Sequence, residues 1–148
     1  MSERLGPRCL VLRTANNEPR FVEAATGEPT VLAVTPSTAD QAQAEAAERP
    51  SASLSVWDCE RTTPEQAIAL RNSALEQAVF RIRVGDAETV AARYGRQLSV
   101  ERSPLPLERG PGSSGHCDMW GVGRTSGEPR VAWKGFLLEL AGVLVRVE

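Results

Sequence analysis

The sequence contains few cysteines and almost no lysine. Cys9, Cys59 and Cys117 are the three cysteines, and no two of them form a C-x-x-C pair. An odd number without such a pair indicates neither a disulfide framework nor a zinc ribbon, and reduced thiols are typical of cytoplasmic proteins. Lys134 is the single lysine, and the many arginines are scattered, which is typical of a GC-rich bacterial genome.

An excess of one charge and a long apolar run are also missing. The 17 basic and 19 acidic residues give a formal net charge of −2, which does not favour a nucleic-acid partner. The most apolar stretch, residues 136–145, is interrupted by Glu139 and falls short of the ~20 residues that a membrane helix needs. The N-terminus resembles no signal peptide. We therefore expect a cytoplasmic protein with no membrane partner, and the oligomeric state stays open.

The composition and turn residues predict a single globular domain over residues 1–148. Hydrophobic residues make up 41% and charged residues 24% of the chain, as in ordinary globular domains of this length. Short apolar or alternating runs predict an α+β fold, in which about six or seven short strands form a mostly antiparallel sheet packed with two or three helices. The first three candidate strands are expected to form a meander. The candidate strands cover residues 8–13, 20–24, 30–34, 53–57, 78–84, 97–101, 117–122 and 143–147.

Helix signals appear later in the chain. A Thr-Pro-Glu-Gln capping box at residues 63–66 predicts a helix over 64–75, and further helices are expected over 86–94 and 129–140. Residues 37–52 are rich in Ala, Gln and Glu and predict an exposed helix or a partly mobile linker. Residues 103–115 are rich in Pro, Gly and Ser and predict a loop.

Reactive side chains cluster at the end of this loop, where His116, Cys117 and Asp118 follow one another. A thiolate nucleophile needs a base within hydrogen-bond reach. Because neighbouring residues of a strand point to opposite faces, His116 cannot easily pair with Cys117. A dyad needs His116 with Cys9 or Cys59, or else Cys117 acts without the histidine. No pair of ligands has zinc spacing, and the glycine-rich loop lacks the lysine and helix of a phosphate loop. We expect neither a metal nor a cofactor.

Four further residues are candidates for binding. The alternation of its strand places Trp57 on a polar face, and Trp57 and Trp120, if exposed, have the character of interface anchors. Arg81 and Arg83 share one face of a strand and predict a small anion-binding patch, with Arg61 or Arg102 beside it. Core packing of both tryptophans and a solvated sheet face are the alternatives.

The leading hypothesis is a non-catalytic protein-interaction module, an accessory or regulatory subunit of a bacterial cytoplasmic system. The alternative is a small cysteine-dependent enzyme that transfers an acyl group or a thioester. In that alternative Cys117 or Cys59 is the nucleophile, His116 the base, and Asp118 or Asp58 the orienting acid. The distance from His116 to a cysteine sulfur discriminates between the two.

Overall fold

One antiparallel sheet of six strands carries the fold in the computed structural model, which describes residues 3–49 and 51–147 apart from the side chain of Thr38. Four helices accompany the strands in this part of the chain, so the predicted α+β class is confirmed, with one helix more than expected. The strands are β1 (Leu10–Asn16), β2 (Leu54–Asp58), β3 (Gln77–Arg83), β4 (Ser99–Arg102), β5 (His116–Trp120) and β6 (Val145–Val147). The helices are α1 (Thr38–Ala46), α2 (Pro64–Arg71), α3 (Val84–Arg93) and α4 (Arg130–Gly142).

The strands lie in the order β4-β5-β2-β1-β3-β6, and every neighbouring pair is antiparallel. Side chains alternate between the two faces of the sheet. We call one side the α4 face, because Val56 and Phe80 pack there with α3 and α4 around the main core. We call the other side the α2 face, because Leu12, Trp57 and Val79 pack there under α2.

A partly buried arginine ties the start of the chain to the middle of the sheet. Arg13 lies on the α4 face of β1, where its Nε donates to the carbonyl of Ala33 at 2.9 Å and its Nη1 donates to the carbonyl of Ser55 at 3.0 Å. Burial, followed by the charge of Arg71, lowers the pKa of Arg13 to about 10, so the guanidinium stays charged at neutral pH. The two bonds hold residues 31–34 against β2.

The predicted meander at the start of the chain is wrong. Residues 20–24 form only an isolated bridge, from Val22 to Pro29, and the 30–34 run becomes a 3-10 helix, Val31–Val34. The cause is the central place of β1, whose two edges pair with β2 and β3. No free edge of β1 is left for the next segment, and Val34 is instead buried with α4 in the main core.

Capping explains where two of the helices begin and end. The predicted capping box of α2 is confirmed, since the side chains of Thr63 and Gln66 each accept a hydrogen bond from the backbone of the other. The helix ends at Arg71 rather than at residue 75, because Asn72 adopts a left-handed conformation with φ of 52°. A second box, formed by Ser37 and Asp40, begins α1 within the 37–52 segment. In the described residues no helix is long and apolar enough to cross a membrane.

The predicted loop at 103–115 is folded back on the start of α2. The hydroxyl of Thr62 donates to the carbonyl of Gly112 at 2.7 Å, and the amide of Leu105 donates to the carbonyl of Ser113 at 3.1 Å. A Cβ on Gly115 would lie 2.0 Å from the Thr62 hydroxyl oxygen, so a glycine is needed for the loop to approach this closely. The loop also places Leu105 against the apolar cluster of the α2 face.

We expect Gly121→Ala to destabilise the protein far more than Gly127→Ala. Both glycines have positive φ, +92° and +79°, but a Cβ on Gly121 would lie 2.1 Å from the carbonyl oxygen of Gln97, whereas none of the described atoms lies within 4 Å at Gly127. The left-handed backbone alone costs ~1–2 kcal/mol, and the overlap adds ~1–3 kcal/mol. Urea unfolding of both variants measures the difference, and equal losses would contradict the packing at Gly121.

Candidate functional site

Two serines hold the ring of His116. Its Nδ1 lies 2.8 Å from the hydroxyl oxygen of Ser103 and 2.9 Å from the carbonyl oxygen of the same residue, and its Nε2 lies 3.2 Å from the hydroxyl oxygen of Ser55. Trp57 meets the ring edge-on, with the ring centroids 4.9 Å apart. Among the described residues no hydrogen bond joins His116 to a cysteine sulfur, so the geometry does not support the cysteine-dependent alternative.

The two candidate nucleophilic cysteines are poor thiolates. Cys117 lies on the α4 face, opposite to His116, where it is fully buried and donates to the carbonyl of Gly115 at 3.4 Å. Burial raises the pKa of Cys117 to about 12. Cys59 follows β2 and packs beside Trp57, and burial, followed by the charge of Asp58, raises its pKa. Both thiols are therefore protonated at neutral pH.

The two candidate acids lie on opposite faces of the sheet. Asp118 is on the α2 face, where the register places it directly between Ser55 of β2 and Glu101 of β4. Asp58 is on the α4 face and accepts a hydrogen bond from Arg102 at 2.7 Å. The structure thus brings Asp118, but not Asp58, to the same face as His116. Within the described residues no group of three potential ligands is placed to hold a metal ion.

Both tryptophans are buried, which agrees with core packing and not with exposed interface anchors. Trp57 is only 5% exposed because Leu12, Ala67 and Leu70 cover it on the α2 face. Trp120 is 9% exposed, and Ala44 of α1 together with Ala52 packs against its ring. The alanines of α1 are too small to indicate a buried face from the sequence. A flat indole ring, however, needs only a small side chain packed over it.

Arg81 and Arg83 occupy the α2 face of β3, as the alternation predicts, and both are exposed. Arg102 does not join them, because its side chain lies on the opposite face, bound to Asp58 and Glu3. Val79, the third residue on their side of the strand, is buried under α2. The proposed anion patch therefore contains Arg81 and Arg83 without Arg102.

A groove of about 850 Å³ lies beyond the ends of β4 and β5. The turn after α3 forms one wall, and residues 121–128 together with the segment before β2 form the others. This volume is in the range of sites that enclose a ligand. Its main side chains are Arg4, Arg49, Tyr94, Arg96, Trp120 and Glu128.

A buried ion pair fixes the floor of this groove. Arg96 pairs with Glu128 and also donates to the carbonyls of Gly121 and Gly123. Burial by itself would raise the pKa of Glu128, but the hydrogen bonds from Arg96 and from Thr125 outweigh it, and the pKa is lowered. Arg96 thereby clamps the chain after β5 to the end of α3.

A stacked pair forms the mouth of the groove. The guanidinium of Arg49 lies over the ring of Trp120, 4.2 Å from its centroid, and its Nη2 donates to Glu101 at 2.8 Å. Arg4 is nearby in the fold, because it bridges to Glu101 in the backbone, and its Nη2 donates to Glu88 at 2.7 Å. Trp120 is the one candidate of the sequence analysis that lines this groove.

Sequence reasoning missed most of the residues of these two sites. The alternation that places Trp57 on a polar face also places Ser55 on that face. This alternation is the one sequence signal for the contact of Ser55 with His116. Gly121 and Gly123 allow a close backbone approach to Gln97 and Ala52, which their spacing in the sequence does not reveal. No sequence signal connects Arg49 or Arg96 with the groove.

Comparisons of the chain with protein-family models, with curated proteins and with solved structures find no match.

We expect the cysteines of the folded protein to resist alkylation. A thiol with a pKa of about 12 carries roughly 10³-fold less thiolate at neutral pH than free cysteine does. Iodoacetamide at pH 7.5, read by mass spectrometry, should modify Cys117 only after unfolding in urea, and Cys59 more slowly than free cysteine. Rapid alkylation of either residue in the folded state would instead support the cysteine-dependent enzyme.

We expect Glu128→Gln to lower stability at neutral pH by ~1.5–3 kcal/mol, because it removes charged hydrogen bonds to Arg96. The folded pKa of Glu128 is lower than its unfolded pKa, so the contribution is complete above the unfolded pKa and is lost as the pH falls through the folded pKa. The difference from the parent should therefore shrink below about pH 4.

Urea unfolding at pH 7 and at pH 3 measures this change, and Glu108→Gln, at an exposed position, is the matched control. A Glu128→Gln loss that is as large at pH 3 as at pH 7 would contradict a charged Glu128 as the source of the stabilisation.

Proposed function

We propose that this chain is a protein-interaction module that acts by binding an acidic segment of a partner protein in the Trp120 groove. The observation that carries the proposal is the set of side chains in the groove. Energetic hot spots of protein interfaces are enriched in tryptophan, tyrosine and arginine, and the groove combines Trp120 and Tyr94 with three arginines.

The charge of the groove favours an acidic partner. Arg4 and Arg49 have side chains that are 61% and 37% exposed, and one carboxylate accepts from each of them. A guanidinium has five N–H donors, so both arginines retain donors for a further carboxylate. Arg96 does not offer donors to a partner in this way, because its N–H groups already bond to Glu128 and to two backbone carbonyls.

Contacts within the chain hold the side chains of the groove in place without a partner. The Arg96–Glu128 pair fixes the floor of the groove, and the contact of Arg49 with Trp120 restrains its mouth. A restrained groove loses less side-chain entropy on binding than a mobile one. This rigidity supports a recognition role rather than a purely structural one.

The proposed setting is a bacterial cytoplasm, where the chain is an accessory or regulatory subunit. The three cysteines are free thiols, which suits a reducing compartment. The mixture of charges and the net charge of −2 favour a protein partner over nucleic acid.

We expect a hexaglutamate peptide to bind the groove weakly but specifically. Titration into ¹⁵N-labelled protein should shift the indole signal of Trp120 and the amide signals of Gly95 and Gly121, and hexalysine should not shift them. Arg49→Gln should weaken binding at least threefold, because it removes the cation at the mouth of the groove. Arg109→Gln, which makes the same change of charge at an exposed position outside the groove, should leave the affinity unchanged.

Equal weakening by Arg49→Gln and Arg109→Gln would show that the peptide responds only to overall charge, and the proposal would fail. Free glutarate binding as tightly as the peptide would assign the groove to a small dicarboxylate instead of a protein segment.

A further inference from the structure

We propose that Ser55 is an activated nucleophile for acyl transfer and that His116 is its general base. The inference adds a covalent activity to the proposed binding function and does not depend on it. It starts from the chain of contacts that joins Ser55, His116 and Ser103 on the α2 face. A nucleophile in contact with a base, which a third group orients, is the arrangement that activates serine hydroxyls in enzymes.

The partners of the ring determine which nitrogen carries the proton. A carbonyl oxygen can only accept a hydrogen bond, so the carbonyl of Ser103, 2.9 Å from Nδ1, places the proton of neutral His116 on Nδ1. The lone pair on Nε2 then faces the hydroxyl of Ser55 at 3.2 Å. This is the tautomer in which His116 accepts the proton of Ser55.

The backbone holds all three groups in place. The carbonyl of Ser55 accepts from Arg13, and the amide of Ser103 donates to the carbonyl of His116 at 3.0 Å. Trp57 packs edge-on against the imidazole and limits its rotation. Catalytic groups on regular strands are more precisely positioned than groups on loops, and Ser55 and His116 lie on the neighbouring strands β2 and β5.

A carboxylate is placed to stabilise the positive charge that forms on His116. Asp118 lies on the same face of β5, two residues after His116, and the register pairs it with Ser55. Side chains two residues apart in a strand are ~6.6 Å apart, so Asp118, which is mostly buried, lies within range of Coulombic attraction to the imidazolium that the step forms. This is the electrostatic role of Asp118, without direct contact with the ring.

The proposed step is an acyl transfer to Ser55. Its Oγ forms a bond to the acyl carbon of an ester, the proton of the hydroxyl moves to Nε2 of His116, and the bond to the leaving alkoxide breaks. His116 then gives the proton to the alkoxide, so the first half yields an acyl-serine and an alcohol. Water hydrolyses the acyl-serine in the second half. Ser55 is half-buried, which restricts the substrate to small, activated acyl esters.

Labelling with an alkyl fluorophosphonate tests the nucleophile. The probe should modify Ser55, identified by peptide mass spectrometry, and Ser55→Ala should remove the label. His116→Gln should lower the labelling rate at least 100-fold. Ser126→Ala, at an exposed serine outside this chain of contacts, should leave the rate within threefold. Labelling of another serine, no labelling, or equal rates for the parent and His116→Gln would overturn the proposal.

A spectroscopic measurement on the unmodified protein covers the case in which His116→Gln does not fold. The chain has a single histidine, so long-range ¹H–¹⁵N NMR shows one imidazole. At alkaline pH, where the ring is neutral, the pattern of the Nδ1–H tautomer is expected. The Nε2–H tautomer would overturn the proposal, because Nε2 would then have no lone pair for the proton of Ser55.

Discussion

The antiparallel pairing of β2 with β5 is the constraint on which the rest of the structure depends. Its register places Ser55 opposite Asp118 and Trp57 opposite His116. The same register sends Cys117 to the other face, into the main core. A slip of one residue would exchange the two faces, so this one pairing decides that the histidine meets hydroxyl groups rather than thiols.

The two faces of the sheet carry different kinds of side chains. The α4 face buries the main apolar core, with Phe80 and Phe136 among its largest fully buried side chains. The α2 face has a smaller apolar cluster around Trp57 and, beside it, the polar group of Ser55, His116 and Asp118. A short helix and a folded loop cover this second face incompletely, which is why polar side chains remain there between the two layers.

Arginine provides much of the cross-linking in this chain. Arg13 joins the 31–34 turn to β2, Arg96 joins the turn after α3 to the segment after β5, and Arg102 joins β4 to Asp58. Arg13 and Arg96 each use several donors of one planar group, which lysine cannot do in the same geometry. The near absence of lysine therefore has a structural consequence, whatever its genomic origin.

The sequence by itself determined the fold class, the capping box of α2 and the strands whose alternation is regular, because these depend on local periodicity and on hydrogen bonds between near neighbours. It also placed Ser55 and Trp57 on one face. Only the tertiary structure decided that β1 is central, that Val31–Val34 is a 3-10 helix, that Trp120 lies under α1 and that Arg49 and Arg96 meet in one groove. Those facts depend on which strands compete for an edge and on contacts between distant residues, and no local pattern contains that information.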